Sequence, residues 1–283
     1  MITYLFPGQG AQKIGMGKEL FHSFPNQLKI ADKILGYSIK ELCLNGPENK
    51  LSLTNYAQPA LYVVNALSYL KEIECMGDSP DFLAGHSLGE YNALLAAHAF
   101  DFETGLMLVK KRGELMAQAQ NGGMAAIIGL NQQKIEEVFQ NNQIETIDVA
   151  NFNTPEQIVI SGKKEAVENA KHLFEQAGAG MYIVLKVGGA FHSRYMKEAA
   201  DEFSEFLNGI SFSPLRIPVI ANVDALPYKN NQIKDNLSTQ IIKPVQWLNS
   251  MLYLHNQENM FFKEIGGSNI LTNMLKKIKP VYA

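Results

Sequence analysis

Apolar and polar residues follow two different rhythms along this chain, and the changes between them divide it into three blocks. Short apolar runs bounded by Gly, Pro and Asn read as strands; apolar positions three or four apart read as helices that bury one face. Residues 1–122 open with a strand at 2–6 and turn at Pro7-Gly8-Gln9-Gly10. Amphipathic helices follow, notably around 62–70. Then come a short buried strand at 81–84, a helix over 90–97 and a longer helix near 105–119. Alternating β and α is the pattern of a parallel sheet covered by helices.

Residues 123–187 keep another order. A strand at 124–129 and a helix at 132–141 precede paired strands at 146–151 and 157–161. A helix at 164–177 and a strand at 181–187, with Ile183, Leu185 and Val187 alternating, complete the block. This βαββαβ order predicts a split-βαβ, ferredoxin-like unit. Residues 188–283 return to helices at 193–207, near 233–240 and near 247–254, with strands at 217–222 and 260–265. The expected fold class is α/β. An α/β-hydrolase-like large domain with a parallel sheet, formed by 1–122 and 188–283, carries a small ferredoxin-like insert at 123–187.

At 283 residues and 46% hydrophobic, the chain can bury a sizeable core. A net charge of −3 with scattered Lys and Arg makes no electrostatic case for nucleic acid or an anionic membrane. No stretch approaches the about 18 apolar residues that span a bilayer. The start, Met1-Ile2-Thr3-Tyr4-Leu5-Phe6-Pro7, reads as a first strand and not as a signal peptide. Cys43 and Cys75 show no metal or redox spacing, so a reduced, cytoplasmic compartment and no metal site are expected.

The chemistry concentrates at Gly85-His86-Ser87-Leu88-Gly89, between the strand at 81–84 and the helix at 90–97. Strand, tight turn and helix around Gly-x-Ser-x-Gly form a nucleophile elbow, whose glycines hold the serine hydroxyl clear of the backbone. The Leu88 N–H then points from a helix N-terminus at an oxyanion on an acyl group attacked by Ser87. The alternative is a Gly-Ser turn of no consequence, and the flanking strand and helix argue against it.

A serine hydroxyl needs a base to become a nucleophile near neutral pH. His22 lies near a surface helix end, His98 and His172 lie within helices, and His255 lies near a helix C-terminus; these read as packing or surface residues. His86 adjoins the serine, with its side chain expected on the opposite side of the turn. His192 closes Val187-Gly188-Gly189-Ala190-Phe191-His192 just before a helix, and paired glycines there suggest a crowded site. A helix N-terminus also favours the neutral, proton-accepting form of a histidine. The alternative is an incidental histidine in a capping region.

Arg112 lies on the apolar stripe of its helix, four after Leu108 and three before Leu115, whereas Lys110 and Lys111 fall off it. An inward guanidinium is costly unless it meets an anion, which is either an internal Asp or Glu or a substrate carboxylate. Gly8-Gln9-Gly10 follows the first strand as a ligand-facing loop should, and Gln9 is a candidate second oxyanion donor or a plain polar turn residue. The dinucleotide fingerprint fails, because the next glycine is Gly15, and Ser161-Gly162-Lys163-Lys164 lacks the upstream glycine of a Walker motif.

With these residues in hand, the chain resembles the malonyl-CoA:acyl carrier protein transacylases over nearly its full length. Phe6-Pro7-Gly8-Gln9-Gly10, Gln58-Pro59-Ala60, Gly85-His86-Ser87-Leu88-Gly89-Glu90, Arg112-Gly113, Ala150-Asn151-Phe152-Asn153, Gly189-Ala190-Phe191-His192-Ser193, Asn222-Val223 and Pro244-Val245-Gln246-Trp247 fall in that family's order. The wording of Asp101-Phe102-Glu103-Thr104-Gly105-Leu106 and of Lys110-Lys111-Arg112-Gly113-Glu114-Leu115-Met116 resembles the free-standing acyltransferases of polyketide synthases.

The resemblance implies that Ser87 is acylated, that His192 is base and then acid, and that Arg112 clamps the malonyl carboxylate. It implies an oxyanion hole from the Gln9 and Leu88 N–H groups, with Gln240 orienting His192. Gln58, His86, Phe191 and Asn151 are expected to bind substrate, and Phe191 beside the histidine goes with malonyl over methylmalonyl. Gly266-Gly267-Ser268 departs from the family's Gly-Pro-Gly, which is expected to alter a wall of the site. The implied substrates are malonyl-CoA and an acyl carrier protein that brings its own phosphopantetheine. No resident cofactor is implied, and a monomer is expected. Two other functions use the same residues differently: a hydrolase that clears stalled carriers with the Ser-His pair, and a carrier-docking scaffold that keeps only the fold.

Overall fold

Successive residues of the first strand point into two different cores. The computed structural model describes residues 1–77 and 79–279. Its eight strands are β1 (Ile2–Phe6), β2 (Phe82–Gly85), β3 (Gly122–Ile128), β4 (Ile147–Thr154), β5 (Gln157–Lys163), β6 (Met181–Val184), β7 (Val219–Ile220) and β8 (Phe261–Glu264). One sheet has the order β7-β2-β1-β8 with every pairing parallel. Tyr4, Phe6, Leu83 and Val219 face a large core shared with helices Thr54–Met76 and Phe102–Gln118. Leu5, Ala84 and Ile220 face a second core with Trp247, Met251 and Leu254. Burial on both faces is what a parallel sheet requires, and it explains why its strands read as continuous apolar runs.

The second sheet has the order β4-β5-β3-β6 and is antiparallel throughout, as a split-βαβ unit demands. Period-two alternation again assigns its faces. Ala125, Ile127, Ile158 and Ile160 meet Ile135, Val138 and Phe174 in a core of their own. Met124, Ala126 and Val159 join the large core instead, so the sheet is bolted to its neighbour by apolar contact. The β4 backbone adds hydrogen bonds from Phe152 N to Val245 O at 3.0 Å and from Val245 N to Ala150 O at 2.9 Å. Asp148 accepts the Arg194 N–H at 2.9 Å and pairs with its guanidinium, which fixes the chain just after His192.

Several elements differ in length from the sequence expectation. The helix around 62–70 is the middle of one that runs Thr54–Met76, with Pro59 inside it. The strand at 217–222 shrinks to Val219–Ile220, because Pro218 has no N–H for a ladder and the chain turns back after Asn222. The strand at 181–187 stops at Val184; the Val187 N–H then closes a tight turn onto Leu185 O. The helix at 164–177 is two, Lys164–Asn169 and Lys171–Gln176. Among the described residues, no helix is long and apolar enough to cross a membrane.

Candidate active site

The elbow forms where the carboxyl ends of β1 and β2 lie side by side, the edge at which open α/β sheets place ligands. Gly89 starts the helix Gly89–Ala96 directly on the end of β1, where a Cβ would overlap the Phe6 carbonyl. Gly8 sits equally close to the elbow, since its Cβ would overlap the His86 carbonyl. These two approaches press the Gln9 loop and the Ser87 turn together. Among the described residues, the N–H groups of Gln9 and Leu88 donate to no other group, which leaves both free for an incoming oxygen.

Ser87 itself has φ 49°, a left-handed conformation that costs a non-glycine residue about 1–2 kcal/mol. Asn222 holds it there. Its Oδ1 accepts the Ser87 N–H at 2.7 Å, and its Nδ2 donates to Gly85 O at 2.7 Å.

The serine hydroxyl meets His192 Nε2 at 2.8 Å. On the far side of the ring, Nδ1 lies 2.8 Å from the main-chain carbonyl of Gln240. A carbonyl only accepts, so Nδ1 carries the proton and Nε2 is left to receive the one on Ser87. Burial first, and the Arg112 cation second, push the His192 pKa down to about 3, so the imidazole is neutral. Gln240 thus orients His192 through its backbone, not through its side chain.

The other histidines fall elsewhere. His86 does not point to the opposite side of the turn: it borders the cavity beside Ser87, its Nε2 2.8 Å from Asn153 Oδ1 on β4 and its ring against Trp247. The insert supplies Asn153 and the helix Trp247–His255 supplies the indole, which the turn alone does not reveal. His98 occupies a turn with φ 63° after its helix, not the helix itself. His22 is exposed, His172 bonds Asn169 O, and His255 packs on Phe262.

Arg112 is 1% exposed, on the buried face of Phe102–Gln118 as its spacing predicts. Its partners are neutral. Nη1 donates to Gln58 Oε1 at 2.7 Å, and Nη2 donates to Gln240 Oε1 at 2.8 Å and to Ser87 Oγ at 3.1 Å. The guanidinium also lies over the Tyr91 ring, 5.5 Å from its centroid. Among the described residues, no carboxylate comes within ion-pair distance of it. An internal acid is therefore not its contact partner, and the buried cation rests on neutral groups alone.

Three residues without a role in the sequence reading stand behind this constellation. Glu90 is buried, its Oε1 accepting Asn222 N–H at 2.8 Å and Tyr228 O–H at 2.9 Å, and its Oε2 accepting Gln240 Nε2–H. Burial pushes its pKa up to about 7 against those three donors and the Arg112 charge. The signal available was polar Glu90 and Asn92 inside an otherwise apolar run of eight; Asn222 stood out only as part of a family motif, and Tyr228 offered no signal.

Ser87, His192 and Arg112 share one cavity of about 400 Å³ with Gln9, Leu88, Gln58, His86, Asn151 and Phe191. Gln240 lies behind its wall. Gly266 does not form a wall of this cavity: it packs on Asn65 and Pro7 and borders a separate depression with Gly15 and Gly17. The departure at 266–268 is thus screened from the serine by the Pro7 loop.

A serine hydroxyl, a neutral base, free amides and a buried cation in one cleft fit acyl transfer, and comparison with known proteins agrees. The acyl transferase domain family matches residues 3–277. The chain is 55% identical, over 99% of its length and 97% of the relative's, to the polyketide biosynthesis malonyl CoA-acyl carrier protein transacylase PksC of Bacillus subtilis. Its fold is similar to the crystal structure of malonyl CoA-acyl carrier protein transacylase from Burkholderia pseudomallei, with TM-score 0.95 and 45% identity over 98% of this chain and 97% of that one. It is also similar to a malonyl-transacylase solved in complex with its type II polyketide synthase acyl-carrier protein, with TM-score 0.93 and 36% identity over 98% and 92% of the two chains. Matched nearly end to end in sequence and in fold, the chain belongs to the acyl transferase domain family and, within it, to the malonyl-CoA:acyl carrier protein transacylases.

Proposed function

We propose that this chain moves a malonyl group from malonyl-CoA, through an ester on Ser87, to the phosphopantetheine thiol of an acyl carrier protein, supplying extender units for polyketide synthesis. One observation carries the substrate choice: Arg112 Nη2 lies 3.1 Å from the Ser87 hydroxyl and has only neutral partners. A guest bound there by a carboxylate presents its acyl carbon to the serine next door.

His192 Nε2 takes the Ser87 proton as Oγ attacks the thioester carbonyl. The Gln9 and Leu88 N–H groups receive the oxyanion; in such sites one donor is worth about 10²–10³ in rate. The C–S bond breaks, coenzyme A leaves with the proton from His192, and malonyl-Ser87 remains. The carrier thiol then gives its proton to His192 and attacks the ester, and Ser87 recovers its hydroxyl. A thioester is exchanged for a thioester, so the balance needs no resident cofactor. The polyketide relative and the carrier complex of the related transacylase support the carrier as acceptor. A hydrolase for uncharged acyl chains would gain nothing from Arg112.

Weighing the intact protein after incubation with malonyl-CoA tests the reading, with one malonyl group expected on the wild type and none on Ser87→Ala. Adding holo acyl carrier protein should remove that group onto the carrier. Arg112→Ala should lower malonyl loading about 10²–10³-fold more than acetyl loading, the scale of a broken buried ion pair. An equal loss on both thioesters would contradict the carboxylate clamp.

A further inference from the structure

Glu90 does not border the cavity and its main-chain N–H bonds Ser87 O at 3.1 Å, yet three donors converge on its carboxylate from residues 222, 228 and 240. The third is decisive. The Gln240 side chain is a bridge: its Nε2 donates to Glu90 Oε2 and to Ser87 O at 2.9 Å, while its Oε1 accepts from Arg112 Nη2 at 2.8 Å. An amide has one donor end and one acceptor end. Which end faces Arg112 is set by what stands at the other end.

We propose that Glu90 is the positioning residue for malonyl selectivity, fixing the Gln240 amide so that its carbonyl faces and aims the Arg112 guanidinium. A carboxylate accepts and cannot donate, so the Gln240 NH₂ must turn toward Glu90 and the carbonyl toward the cation. Distance matters equally. A carboxylate in direct contact with Arg112 would neutralise it and compete with the substrate. One amide away, Glu90 orders the guanidinium without pairing with it. Gln58 Oε1, 2.7 Å from Nη1, pins the other prong. This inference rests on the malonyl transfer proposed above and extends it from the clamp to what sets the clamp.

With glutamine at position 90, an NH₂ end meets a donor wherever it turns: either Gln240 Nε2, or the Asn222 N–H and Tyr228 O–H. Donor then meets donor, which displaces the Gln240 amide and draws its carbonyl away from the Arg112 guanidinium, although Ser87 O and Arg112 still oppose a complete flip. Glu90→Gln should therefore lower the malonyl-to-acetyl preference of Ser87 acylation about 10- to 100-fold, mainly through the KM for malonyl-CoA, and Glu90→Asp should restore part of it.

Protonation mimics the substitution. The charged and titratable groups that face Glu90 are Arg112, Tyr91 and Tyr228, with His192 beyond Gln240. Burial holds the Glu90 carboxyl up at about 7, so acidification removes its charge. The wild-type malonyl preference should fall between pH 8.5 and pH 5.5, and that of Glu90→Gln should stay flat.

Acylation by malonyl-CoA and acetyl-CoA, followed by intact mass in rapid quench across that range, reads both effects. A wild type that accepts neither thioester would overturn the proposed function itself. A wild type that loads malonyl, with equal losses on both thioesters in Glu90→Gln or a preference flat with pH, would overturn only the role of Glu90. Should the glutamine variant fail to fold, the wild-type pH arm decides.

Discussion

His192 donates its Nδ1 proton to the main-chain carbonyl of Gln240, 2.8 Å away, and not to a carboxylate. A carbonyl fixes the tautomer without stabilising an imidazolium as a buried acid would. With the ring buried and the Arg112 cation nearby, the charged form is doubly disfavoured. The folded pKa, about 3, lies below the ordinary 6.5, so the native state binds fewer protons than the unfolded chain in that window. His192 therefore costs stability as pH falls from 6.5 toward 3. Nitrogen-15 NMR of the ring should show a neutral, Nδ1-protonated imidazole from pH 8 down to pH 5. An imidazolium signal at pH 6 would contradict this picture.

Because the acceptor for His192 belongs to the backbone, truncating the Gln240 side chain spares the dyad. What Gln240→Ala removes is the bond to Arg112, the bond to Ser87 O and the bond to Glu90. A hydrogen bond to a charged group contributes about 1.5–3 kcal/mol. The expected result is a fall of about 10- to 100-fold in malonyl over acetyl loading, read by single-turnover acylation. A collapse of both to the level of His192→Ala would show instead that the side chain serves the base.

The strain at Ser87 separates the stabilities of two inactive variants. Position 87 has φ 49°, which alanine resists and glycine accepts. Glycine also loses more entropy on folding, so the net gain is small. Ser87→Gly should be more stable than Ser87→Ala by about 0.5–1 kcal/mol in urea unfolding, although both lose the hydroxyl. Equal or inverted stabilities would mean that Asn222 does not hold the turn against strain.

Much of this site was legible in the sequence, because its parts announce themselves locally. The elbow follows from glycines between a strand and a helix, and Arg112 from its place on an apolar stripe. The parallel and antiparallel sheets follow from the order of elements. The partner of Arg112 was not legible: an internal acid and a substrate carboxylate stayed open, and the resting partners are the amides of Gln58 and Gln240. Glu90 escaped for a related reason. Its helix is buried on nearly every side, so no stripe marks a direction, and its partners lie 132 to 150 residues away. His86 was misdirected because the insert strand that receives it is invisible from the turn.

Glu90 also leaves a mark on stability that runs against the usual behaviour of a carboxylate. Its pKa is raised from 4.5 to about 7, chiefly by burial. The folded state therefore holds a proton that the unfolded chain releases near 4.5, and the stability this contributes is complete below 4.5 and lost as pH rises through 7. A shift of that size corresponds to about 3 kcal/mol between the two limits. Glutamine at position 90 is neutral at every pH and lacks this decline, while the opposite effect of His192 is common to both proteins and cancels. Urea unfolding at pH 5 and pH 8.5 should show the wild type losing about 3 kcal/mol more than Glu90→Gln over that interval. A gap between the two proteins that does not change with pH would place the ordinary, ionised carboxylate in the core. Gln240 would then be held by a permanent charge, and the selectivity of acylation would not titrate.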